Sequence, residues 1–370
     1  MKYYLIAGER SGDLHGSNLL ESLKKLDMQA QFRGIGGEQM RSAGLDLVVP
    51  YSRLAFMGFW EVFKNIFTIG KYLKSTQMDL MNYQPDVLIL IDYPGFNLRI
   101  AKFAKSNGIK VFYYISPKIW AWNTKRAYKI KKCVDKMFTI LPFESDFYKN
   151  FDITVDYVGN PVMDAVNNYS FDSNYCEQYN LNPTKTIAVL PGSRKQEVKL
   201  FTNQIIDLAN NLKGYVFTVS QVDNLPSDLY DSLKKISNIR LIKGNTYDLL
   251  KNSCAAIVTS GTATLETAVL DIPQVVCYRM SAITYAIAKR IVKVKFISLV
   301  NLIMDLEVVK ELIQEELNTE NLVLQLNRII DDSDERSKML SEYKLMRDLL
   351  GYENVSDKTA KLMYSYLIES

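Results

Sequence analysis

The sequence predicts an α/β protein with two doubly wound parallel sheets facing a central cleft, and three observations predict it. Short apolar runs alternate with amphipathic segments along most of the chain, which is the pattern of a parallel sheet covered by helices. A strand-like run turns through glycine into a helix-like segment twice, at 3–13 and at 186–194. The length of 370 residues exceeds what one ordinary hydrophobic core accommodates. Two facing sheets with a ligand between them would account for all three observations.

The first half of the chain contains six candidate strands. The run at 87–91 is continuously apolar, as expected for a central parallel strand that is covered on both faces. Leu19, Leu23 and Leu26 recur at helical spacing, which predicts a helix after the first strand. The predicted strands are 3–7, 31–35, 45–49, 87–91, 110–115 and 136–140.

The second half repeats this alternation. A polar stretch at 167–182 is predicted to be a linker or the entry to a second domain, and from Glu307 onward the pattern is helical. This division predicts domains at 1–165 and 166–344, with a C-terminal helix at 345–370 completing the first domain. The predicted strands are 186–190, 215–219, 239–242, 255–259 and 274–277.

Composition excludes several functional classes. The net charge of +4 is too small to indicate nucleic-acid binding, and four scattered cysteines without a C-x-x-C pair indicate neither disulfides nor zinc. His15 is the single histidine, so motifs with two histidines are excluded, and the general base is expected to be a carboxylate in preference to His15. No apolar run is long enough to cross a bilayer, and no signal peptide is expected, because Met1 leads directly into a predicted strand. The Asp-x-Asp triplet at 332–334 is expected in a surface loop, with no metal site.

The first glycine turn, at 8–13, is a candidate anion site. A strand that turns through glycine into a helix brings together free backbone N–H groups and the positive end of the helix dipole. Glu9 and Asp13 follow the same strand end, so we expect both carboxylates to line a ligand cleft there. Ser11 and Gly12 lie between them in the turn.

The second glycine turn carries an arginine at the start of a helix. Ser193 and Gln196 have the spacing of a capping box, which predicts that a helix begins next to Gly192. Arg194 is unfavourable there against the helix dipole. A bound diphosphate would remove that conflict, because the amides and the guanidinium would contact the same anion. A surface arginine on an ordinary capped helix explains this motif equally well.

A third loop, following the predicted strand at 255–259, reads Ser260-Gly261-Thr262-Ala263. Its small residues allow a ligand to approach the backbone closely, and a helix start adds hydrogen-bond donors. Glu266, in the helix that follows, fits a side chain that accepts both hydroxyls of a ribose. A solvated carboxylate that complements the helix dipole is the plainer alternative.

Asp92 directly follows the buried strand at 87–91. Open α/β sheets bind ligands at the carboxyl ends of their strands, and a partly desolvated carboxylate there is suited to act as a general base. The pattern is explained equally well by a structural role, in which Asp92 caps the turn before Pro94.

An aromatic segment at 54–74 has two interpretations. Its large side chains follow helical spacing, for which core packing is the default explanation. The aromatic density also fits a helix that lies in a lipid interface or holds acyl chains. The basic run at 289–295 could contact lipid headgroups or a substrate phosphate, although a solvated helix end is the more common cause. The side chains expected to contact acyl chains or lipid are Met57, Phe59, Trp60, Phe63 and Phe67.

These motifs, taken in order, resemble those of the lipid-A-disaccharide synthase family, whose GT-B fold consists of two Rossmann-like domains facing a cleft. The set runs over nearly the whole chain, and its most specific part is Ser116-Pro117 followed by Trp120-Ala121-Trp122. The other matching segments are Gly8–Asp13, Met57-Gly58, Pro85–Val87, Ile91–Asn97, Leu141–Glu144, Leu190–Arg194, Ser260–Glu266 and Tyr278–Met280.

The resemblance implies a reaction. The family joins UDP-2,3-diacylglucosamine to 2,3-diacylglucosamine 1-phosphate (lipid X), forming a β-1,6-linked disaccharide and UDP with inversion at the sugar carbon. It implies no cofactor, no metal ion and no nucleic acid. Because both substrates are acylated, it implies a cytoplasmic protein associated with the inner face of the inner membrane. A homodimer is left open.

The resemblance also implies residue roles. Asp92 would take the proton from the acceptor 6-hydroxyl, with Asp13 and Glu9 as alternative bases, and Arg194 would meet the charge on the departing UDP. Glu266 would bind the ribose, while Arg279 and Asn301 would assist on the donor side. The residues expected to line the acceptor side are Glu9, Ser11, Gly12, Asp13, Asn97, Ser116 and Trp120.

Other function classes fit parts of the pattern. Another GT-B enzyme, such as a UDP-sugar epimerase or a peptidoglycan-lipid glycosyltransferase, would share the two-sheet architecture. A nucleotide-binding module without catalytic activity is a further alternative. A dinucleotide oxidoreductase is disfavoured, because neither glycine turn matches G-x-G-x-x-G.

Overall fold

The computed structural model describes residues 1–54, 66–222, 225–331, 333–352 and 354–369. The chain divides into two compact units. The first comprises Met1–Asp164 together with Glu353–Ser370, and the second comprises Ala165–Tyr352. Each unit contains a parallel sheet covered by helices.

The first unit is built on a seven-stranded parallel sheet in the order β3-β2-β1-β4-β5-β6-β7. Strand order reverses between β1 and β4, and such a reversal opens a crevice at the carboxyl ends of the two strands. The strands are β1 Lys2–Ala7, β2 Gln31–Gly36, β3 Asp46–Pro50, β4 Val87–Ile91, β5 Lys110–Tyr114, β6 Lys136–Thr139 and β7 Asp156–Tyr157.

Helices cover both faces of this sheet, which is why β4 is apolar throughout. Val87, Ile89 and Ile91 pack in one core cluster and Leu88 and Leu90 in the other. The helices are α1 Arg10–Leu26, α2 Glu38–Ser42, α3 Ile66–Tyr83, α4 Pro94–Ser106, α5 Ile119–Trp122, α6 Ala127–Cys133, α7 Glu144–Lys149, α8 Pro161–Asn167 (which runs into the second unit) and, from the C-terminus, α17 Val355–Ile368.

Helix α17 joins the first unit through a buried carboxylate. Asp164 accepts hydrogen bonds from the backbone N–H groups of Val355 and Ser356, at 2.9 and 3.0 Å. Apolar side chains of α17, including Met363, pack in the same core cluster as Leu23 of α1. The C-terminal segment therefore completes one face of this unit.

The second unit has a six-stranded parallel sheet in the order β10-β9-β8-β11-β12-β13. Its strand order reverses between β8 and β11. The strands are β8 Thr186–Leu190, β9 Val216–Gln221, β10 Ile239–Lys243, β11 Ala255–Thr259, β12 Gln274–Tyr278 and β13 Lys310–Ile313. The helices are α9 Tyr175–Tyr179, α10 Lys195–Asn211, α11 Thr246–Lys251, α12 Thr262–Val269, α13 Ala282–Ile291, α14 Leu299–Met304, α15 Thr319–Ile330 and α16 Asp334–Leu350.

The strands predicted from the sequence are all present, with ends that differ by no more than two residues. One prediction was wrong, because the pattern after Glu307 is not helical throughout: Lys310–Ile313 forms β13 beside β12. Of the two alternatives for 167–182, the structure favours the entry to the second domain, since the second unit begins at Ala165 and this stretch contains α9, whose Tyr175 is fully buried.

Some sequence predictions fall outside the described residues. These concern Met57, Phe59, Trp60 and Phe63, and Asp332 of the surface loop expected at 332–334. The rest of that triplet belongs to the start of α16, which Ser333 caps and Asp334 begins. Phe67 lies in α3, but the environment of its side chain is not described. Within the described ranges, no helix has both the length and the apolar character needed to cross a bilayer.

Candidate functional site

Two loops meet at the strand-order reversal of the first unit. Ala7 and Ile91 are register partners at the ends of β1 and β4, so the chain leaves both strands side by side. A Cβ on Gly8 would lie 2.3 Å from the Tyr93 ring, which shows why glycine is needed at that position. The Tyr93 hydroxyl donates to the Leu54 carbonyl at 2.6 Å and fixes the ring. The Asp92 site is the name used below for this crevice.

The backbone at Asp92 has an uncommon conformation. Asp92 and Tyr93 have φ of 45° and 47°, so two consecutive non-glycine residues lie in the left-handed region. Asn97, at the start of α4, donates from Nδ2 to the Asp92 carbonyl at 2.8 Å. The Tyr113 hydroxyl donates to the same carbonyl at 2.5 Å. Strain of this kind persists only where surrounding contacts hold it in place.

The Asp92 carboxyl has the electrostatics of a general base. The pKa of Asp92 is raised to about 6, chiefly by burial and then by the negative charge of Glu9, while the positive charge of Lys118 opposes both. A carboxylate with this pKa is mostly ionised at neutral pH, yet accepts a proton more readily than an exposed aspartate. Lys118, which lies in the Ser116–Trp122 motif, was not singled out from the sequence.

Asp13 was expected to line the ligand cleft, but it caps a helix. Its carboxylate accepts backbone N–H groups of Gly37, Met40 and Gln39 at 2.6, 3.1 and 3.2 Å. Asp13 is buried, and these bonds occupy both of its oxygens. It is therefore not available as a base, and its role is to hold the start of α2 against α1.

Other residues in and near the glycine turn at 8–13 differ in their exposure to solvent. Ser11 is exposed, and its place in the ligand cleft stays a prediction. A Cβ on Gly12 would lie 3.3 Å from that of Ala7, so Gly12 allows α1 to pack closely on β1. Burial lowers the pKa of His15 to about 4, so His15 is neutral at pH 7.

The expected acceptor-side residues after β4 and β5 are more buried than the sequence suggested. Asn97 is fully buried and binds backbone carbonyls, so its amide supports the Asp92 turn instead of lining the cleft. The buried Ser116 hydroxyl forms a hydrogen bond with Tyr148 at 2.7 Å. Only Trp120 is partly exposed, and its indole N–H donates to Glu144 Oε1 at 3.2 Å.

Glu144 is a buried carboxyl that received no role from the sequence. Its Oε2 accepts the backbone N–H groups of Leu141 and Ile140 at 3.1 and 3.2 Å. Burial raises the pKa of Glu144 to about 7, although the hydrogen bonds from its neighbours oppose this. The signal that could have identified it is its place at the end of the Leu141–Glu144 motif.

The second unit has its own site at the reversal between β8 and β11. Gly192 has φ of 103°, and a Cβ there would lie 2.3 Å from Glu197 Oε2. Glu197 Oε2 accepts the backbone N–H groups of Ser193 and Arg194 at 3.0 and 3.2 Å. The predicted capping box of Ser193 with Gln196 is therefore wrong, because α10 begins at Lys195 and Glu197 performs the capping. This crevice is called the Arg194 site below.

Arg194 is the N-terminal capping residue of α10. Its Nη1 donates to Glu197 Oε1 at 2.8 Å, while 59% of its side chain is exposed. The guanidinium therefore retains donors that face solvent. A small cavity at the ends of β11 and β12 lies next to Glu197 and is lined by Phe201, Thr259 and Tyr278.

The loop after β11 supplies a second helix start beside β8. Gly261 precedes α12, and Thr262 is exposed at its first position. The Ser260 hydroxyl donates to the Ile297 carbonyl at 2.8 Å, so it is occupied within the protein. Glu266 Oε1 accepts the Tyr247 hydroxyl at 2.9 Å, and burial raises the pKa of Glu266.

Asn301 was expected on the donor side, but it is buried in α14, where its amide binds the loop that leads to β13. Its Oδ1 accepts the N–H groups of Val308 and Val309 at 2.8 and 2.9 Å. Its Nδ2 donates to the Val309 carbonyl and to Glu311 Oε1. These bonds use the donors and acceptors of the amide, so Asn301 shapes the loop and does not reach a ligand.

Arg279, the other residue expected to assist donor binding, lies at the end of β12. Its Nη2 donates to the carbonyl oxygens of Gln314 and Leu317, which follow β13. It lies beside the cavity near Glu197 and is partly exposed. Arg279 thus braces the wall of the Arg194 site.

The family model and the similar curated proteins indicate the same family. A family model described as "Lipid-A-disaccharide synthetase" matches residues 3–363. A lipid-A-disaccharide synthase from Syntrophus aciditrophicus is 37% identical, covering 99% of this chain and 98% of the relative. Those from Geobacter metallireducens and Coxiella burnetii are 35% and 33% identical over 98% of this chain and 96% and 98% of their own lengths.

Solved structures share the architecture at low sequence identity. The UDP-GlcNAc 2-epimerase from Neisseria meningitidis bound to UDP-GlcNAc has a TM-score of 0.69 at 15% identity, covering 100% of both chains. The glycotransferase of kitacinnamycin has a TM-score of 0.69 at 10% identity, covering 99% of both chains. Both show that the two parallel-sheet units have the GT-B fold.

Proposed function

Because the chain belongs to the lipid-A-disaccharide synthase family, a family of glycosyltransferases, we propose how its two sites divide that reaction. The family reaction transfers diacylglucosamine from UDP-2,3-diacylglucosamine to lipid X. In our proposal the Asp92 site activates the acceptor, and the Arg194 site binds the UDP of the donor. The inverting reaction then needs a base on one side of the sugar carbon and charge stabilisation for the leaving group on the other.

Asp92 is the proposed general base. The acceptor 6-hydroxyl gives its proton to the Asp92 carboxylate as its oxygen attacks the sugar carbon, and the bond to UDP breaks on the opposite side. The observation that carries this assignment is the raised pKa of Asp92, about 6, at the strand-order reversal. With Asp13 occupied as a helix cap, the remaining acid beside Asp92 is Glu9, whose charge supports the basicity of Asp92.

Arg194 and the two helix starts are proposed to bind the diphosphate. Partly exposed guanidinium donors and the first backbone N–H groups of α10 and α12 are suited to an anion whose charge grows as UDP departs. Glu197 accepts the N–H groups of Ser193 and Arg194, which directly precede α10, so a diphosphate bound at this turn must share or displace its carboxylate. The same contacts would supply the charge stabilisation that a metal ion provides in other transferases.

Glu266 is proposed to bind the ribose of UDP. Its Oε1 is held by the Tyr247 hydroxyl, which leaves Oε2 to accept from a ribose hydroxyl. Arg279 and Asn301 would contribute indirectly, because they hold the segments around β13 next to this site.

Acylated substrates suggest a protein that works at a membrane surface, and we propose the inner face of the inner membrane. The end of α13 supports this proposal, since Ile291 and Val292 are exposed between Arg290 and Lys293. An apolar pair flanked by cations fits an anionic lipid interface. The aromatic segment at 57–67 remains a second predicted contact with lipid or acyl chains. A homodimer is a further open prediction.

Incubation with both acylated sugars, followed by mass analysis, tests the proposed function. The expected products are the disaccharide 1-phosphate and UDP. Asp92→Asn should bind UDP normally but turn over about a hundredfold or more slowly, the usual scale for loss of a general base. If the enzyme instead forms an epimerised UDP-sugar and consumes no acceptor, its activity is that of an epimerase, as in the structural neighbour. Normal turnover by Asp92→Asn would remove Asp92 as the base.

A further inference from the structure

The carbonyl oxygen of Asp92 receives two side-chain hydrogen bonds, and this is unusual for a residue at a strand end. The Tyr113 hydroxyl lies 2.5 Å from it and Asn97 Nδ2 lies 2.8 Å from it. The Asp92 N–H is also occupied, because it donates to the Tyr114 carbonyl at 3.1 Å. The backbone N–H and carbonyl of Asp92 are thus both held by hydrogen bonds, from the neighbouring strand β5 and from the start of α4.

These bonds hold a backbone that would otherwise relax. Left-handed φ values at Asp92 and Tyr93 cost an aspartate and, more strongly, a tyrosine some conformational free energy. If φ of Asp92 returned to an ordinary negative value, its carbonyl would leave the donors of Tyr113 and Asn97. Rotation about the N–Cα bond moves the side chain together with the carbonyl, so the Asp92 carboxyl would also be displaced from its place at the ends of β1 and β4.

Tyr113 reaches this carbonyl because of sheet register. Leu90 pairs with Tyr113 and Ile91 pairs with Tyr114 across β4 and β5. Successive side chains on a strand point to opposite faces, so Tyr113 packs in one core cluster and Tyr114 in the other. Of these two adjacent side chains, only that of Tyr113 therefore reaches the Asp92 turn, whereas Tyr114 contacts it through its backbone carbonyl.

The hydroxyl of Tyr113 is chemically suited to a permanent donor role. Burial, and then the negative charge of Asp92, raise the pKa of Tyr113 well above its ordinary value. The phenol therefore keeps its proton throughout the working pH range, and its O–H remains directed at the carbonyl. The hydrogen bond from Tyr113 goes to the backbone carbonyl of Asp92, so it persists whether the Asp92 carboxyl is ionised or protonated.

We propose that Tyr113 is a positioning residue for the reaction, which acts by fixing the Asp92 backbone so that the carboxylate stays in the crevice. This inference rests on the proposed role of Asp92 as the base. Tyr113 would contact neither substrate. Its removal should therefore alter the chemical step and the ionisation of Asp92, and should leave donor binding unchanged.

Tyr113→Phe tests the proposal, with Tyr114→Phe as its matched control. Each variant removes one buried hydroxyl from adjacent positions of β5, but only the first removes a bond to Asp92. We expect Tyr113→Phe to lower kcat about tenfold, the scale of one lost buried hydrogen bond, with KM for the donor and Kd for UDP unchanged. Tyr114→Phe should keep kcat within about twofold of the wild type.

The pH profile separates positioning from a merely structural role. Freed from its fixed backbone, the Asp92 carboxylate gains access to water, so its pKa should fall toward its ordinary value. The acid limb of kcat/KM should then move below pH 6 in Tyr113→Phe and stay in place in Tyr114→Phe. A general loss of stability would lower the yield of active enzyme without moving that limb.

Two outcomes would overturn the inference in distinguishable ways. Wild-type kcat and pH profile in Tyr113→Phe, together with collapsed turnover in Asp92→Asn, would refute positioning by Tyr113 and leave the base assignment intact. Normal turnover in Asp92→Asn would refute both. If Tyr113→Phe does not fold, Asn97→Ala removes the other donor to the same carbonyl, and the same shift of the acid limb is expected.

Discussion

The carboxylate of Glu197 lies 2.8 Å from Nη1 of Arg194 and also accepts the Arg194 backbone N–H. One acidic side chain thus occupies an anion position at the start of α10, where we propose that the diphosphate binds. The arrangement shows that this turn is electrostatically suited to an anion. In our proposal, the protein's own carboxylate and the ligand therefore compete for the same donors.

Arg194→Ala should weaken UDP binding and slow the reaction together. Loss of the guanidinium removes charge-assisted hydrogen bonds to the diphosphate, so we expect UDP affinity to fall about tenfold to a hundredfold. Calorimetric titration with UDP measures this directly. Lys195→Ala is the matched control, because it removes an exposed cation at the next position of α10. Equal losses in the two variants would show a general charge effect and contradict a specific role for Arg194.

Glu197→Gln should separate the capping role from the competition with the diphosphate. The neutral amide accepts backbone N–H groups less strongly and does not repel phosphate, so we expect UDP to bind several-fold more tightly. Stability should fall by about 1 kcal/mol, as for a weakened helix cap. Titration with UDP and thermal unfolding measure the two effects. Weaker UDP binding would show instead that Glu197 holds Arg194 in the orientation that the diphosphate requires.

The charges around Asp92 should set the pH dependence of the reaction. The base must be ionised, so kcat/KM should rise with pH and level off above the pKa of Asp92, about 6. Glu9→Gln removes a negative charge and should move this acid limb down by roughly half a pH unit, whereas Lys118→Met should move it up by a similar amount.

Lys118→Arg provides the control for that experiment, because it keeps the positive charge and should leave the acid limb in place. If neither Glu9→Gln nor Lys118→Met shifts the limb, it reports the ionisation of a group other than Asp92.

Glu144 should make the first unit less stable as pH rises. Its pKa is raised from 4.5 to about 7, so between these values the folded state retains a proton that the unfolded state has released. The free energy of unfolding should therefore fall by roughly 3 kcal/mol between pH 4.5 and 7.5. Denaturant unfolding of Glu144→Gln should lack this decline, whereas a variant at the exposed Glu38 should retain it. Parallel pH curves for all three proteins would contradict the assignment.

The end of α13 should contribute to membrane association. Replacing Ile291 and Val292 with serine should reduce sedimentation with vesicles that contain anionic lipid, because it removes the exposed apolar pair. Leu345→Ser with Leu349→Ser is the control, since it removes an equally exposed apolar pair from α16. Serine at Phe59, Phe63 and Phe67 tests the aromatic segment separately. Unchanged sedimentation in both sets would favour ordinary core packing and a solvated helix end.

Strands and their ends were predictable because their causes are local. An apolar run such as 87–91 can satisfy its backbone and bury its side chains only as a covered strand. It follows that Asp92 stands at a strand end, where ligands bind in open sheets. The exceptions were short or polar: β13 begins with Lys310 and Glu311, and it is a strand only because β12 pairs with it.

The functions of polar side chains near those strand ends were less predictable. Asp13 and Asn301 have the residue types and positions of ligand contacts, yet both are used within the protein. Their partners lie at Gly37 and at Val309, so only the folded chain brings the competing donors and acceptors together. The start of α10 was hard to predict for a similar reason. Ser193 and Glu197 can both cap a helix, and only the folded backbone shows that Glu197 does so.

By itself, the sequence determined the succession of strands, helices and glycine turns, and through its ordered motifs the family and reaction of the protein. Local chemistry suffices for these, since apolar spacing and turn residues act over a few positions. Tertiary structure decided which carboxylates keep a raised pKa and which cap helices. Desolvation and charge proximity depend on residues distant in the chain, as Asp92 shows with Glu9, Tyr113 and Lys118 around it.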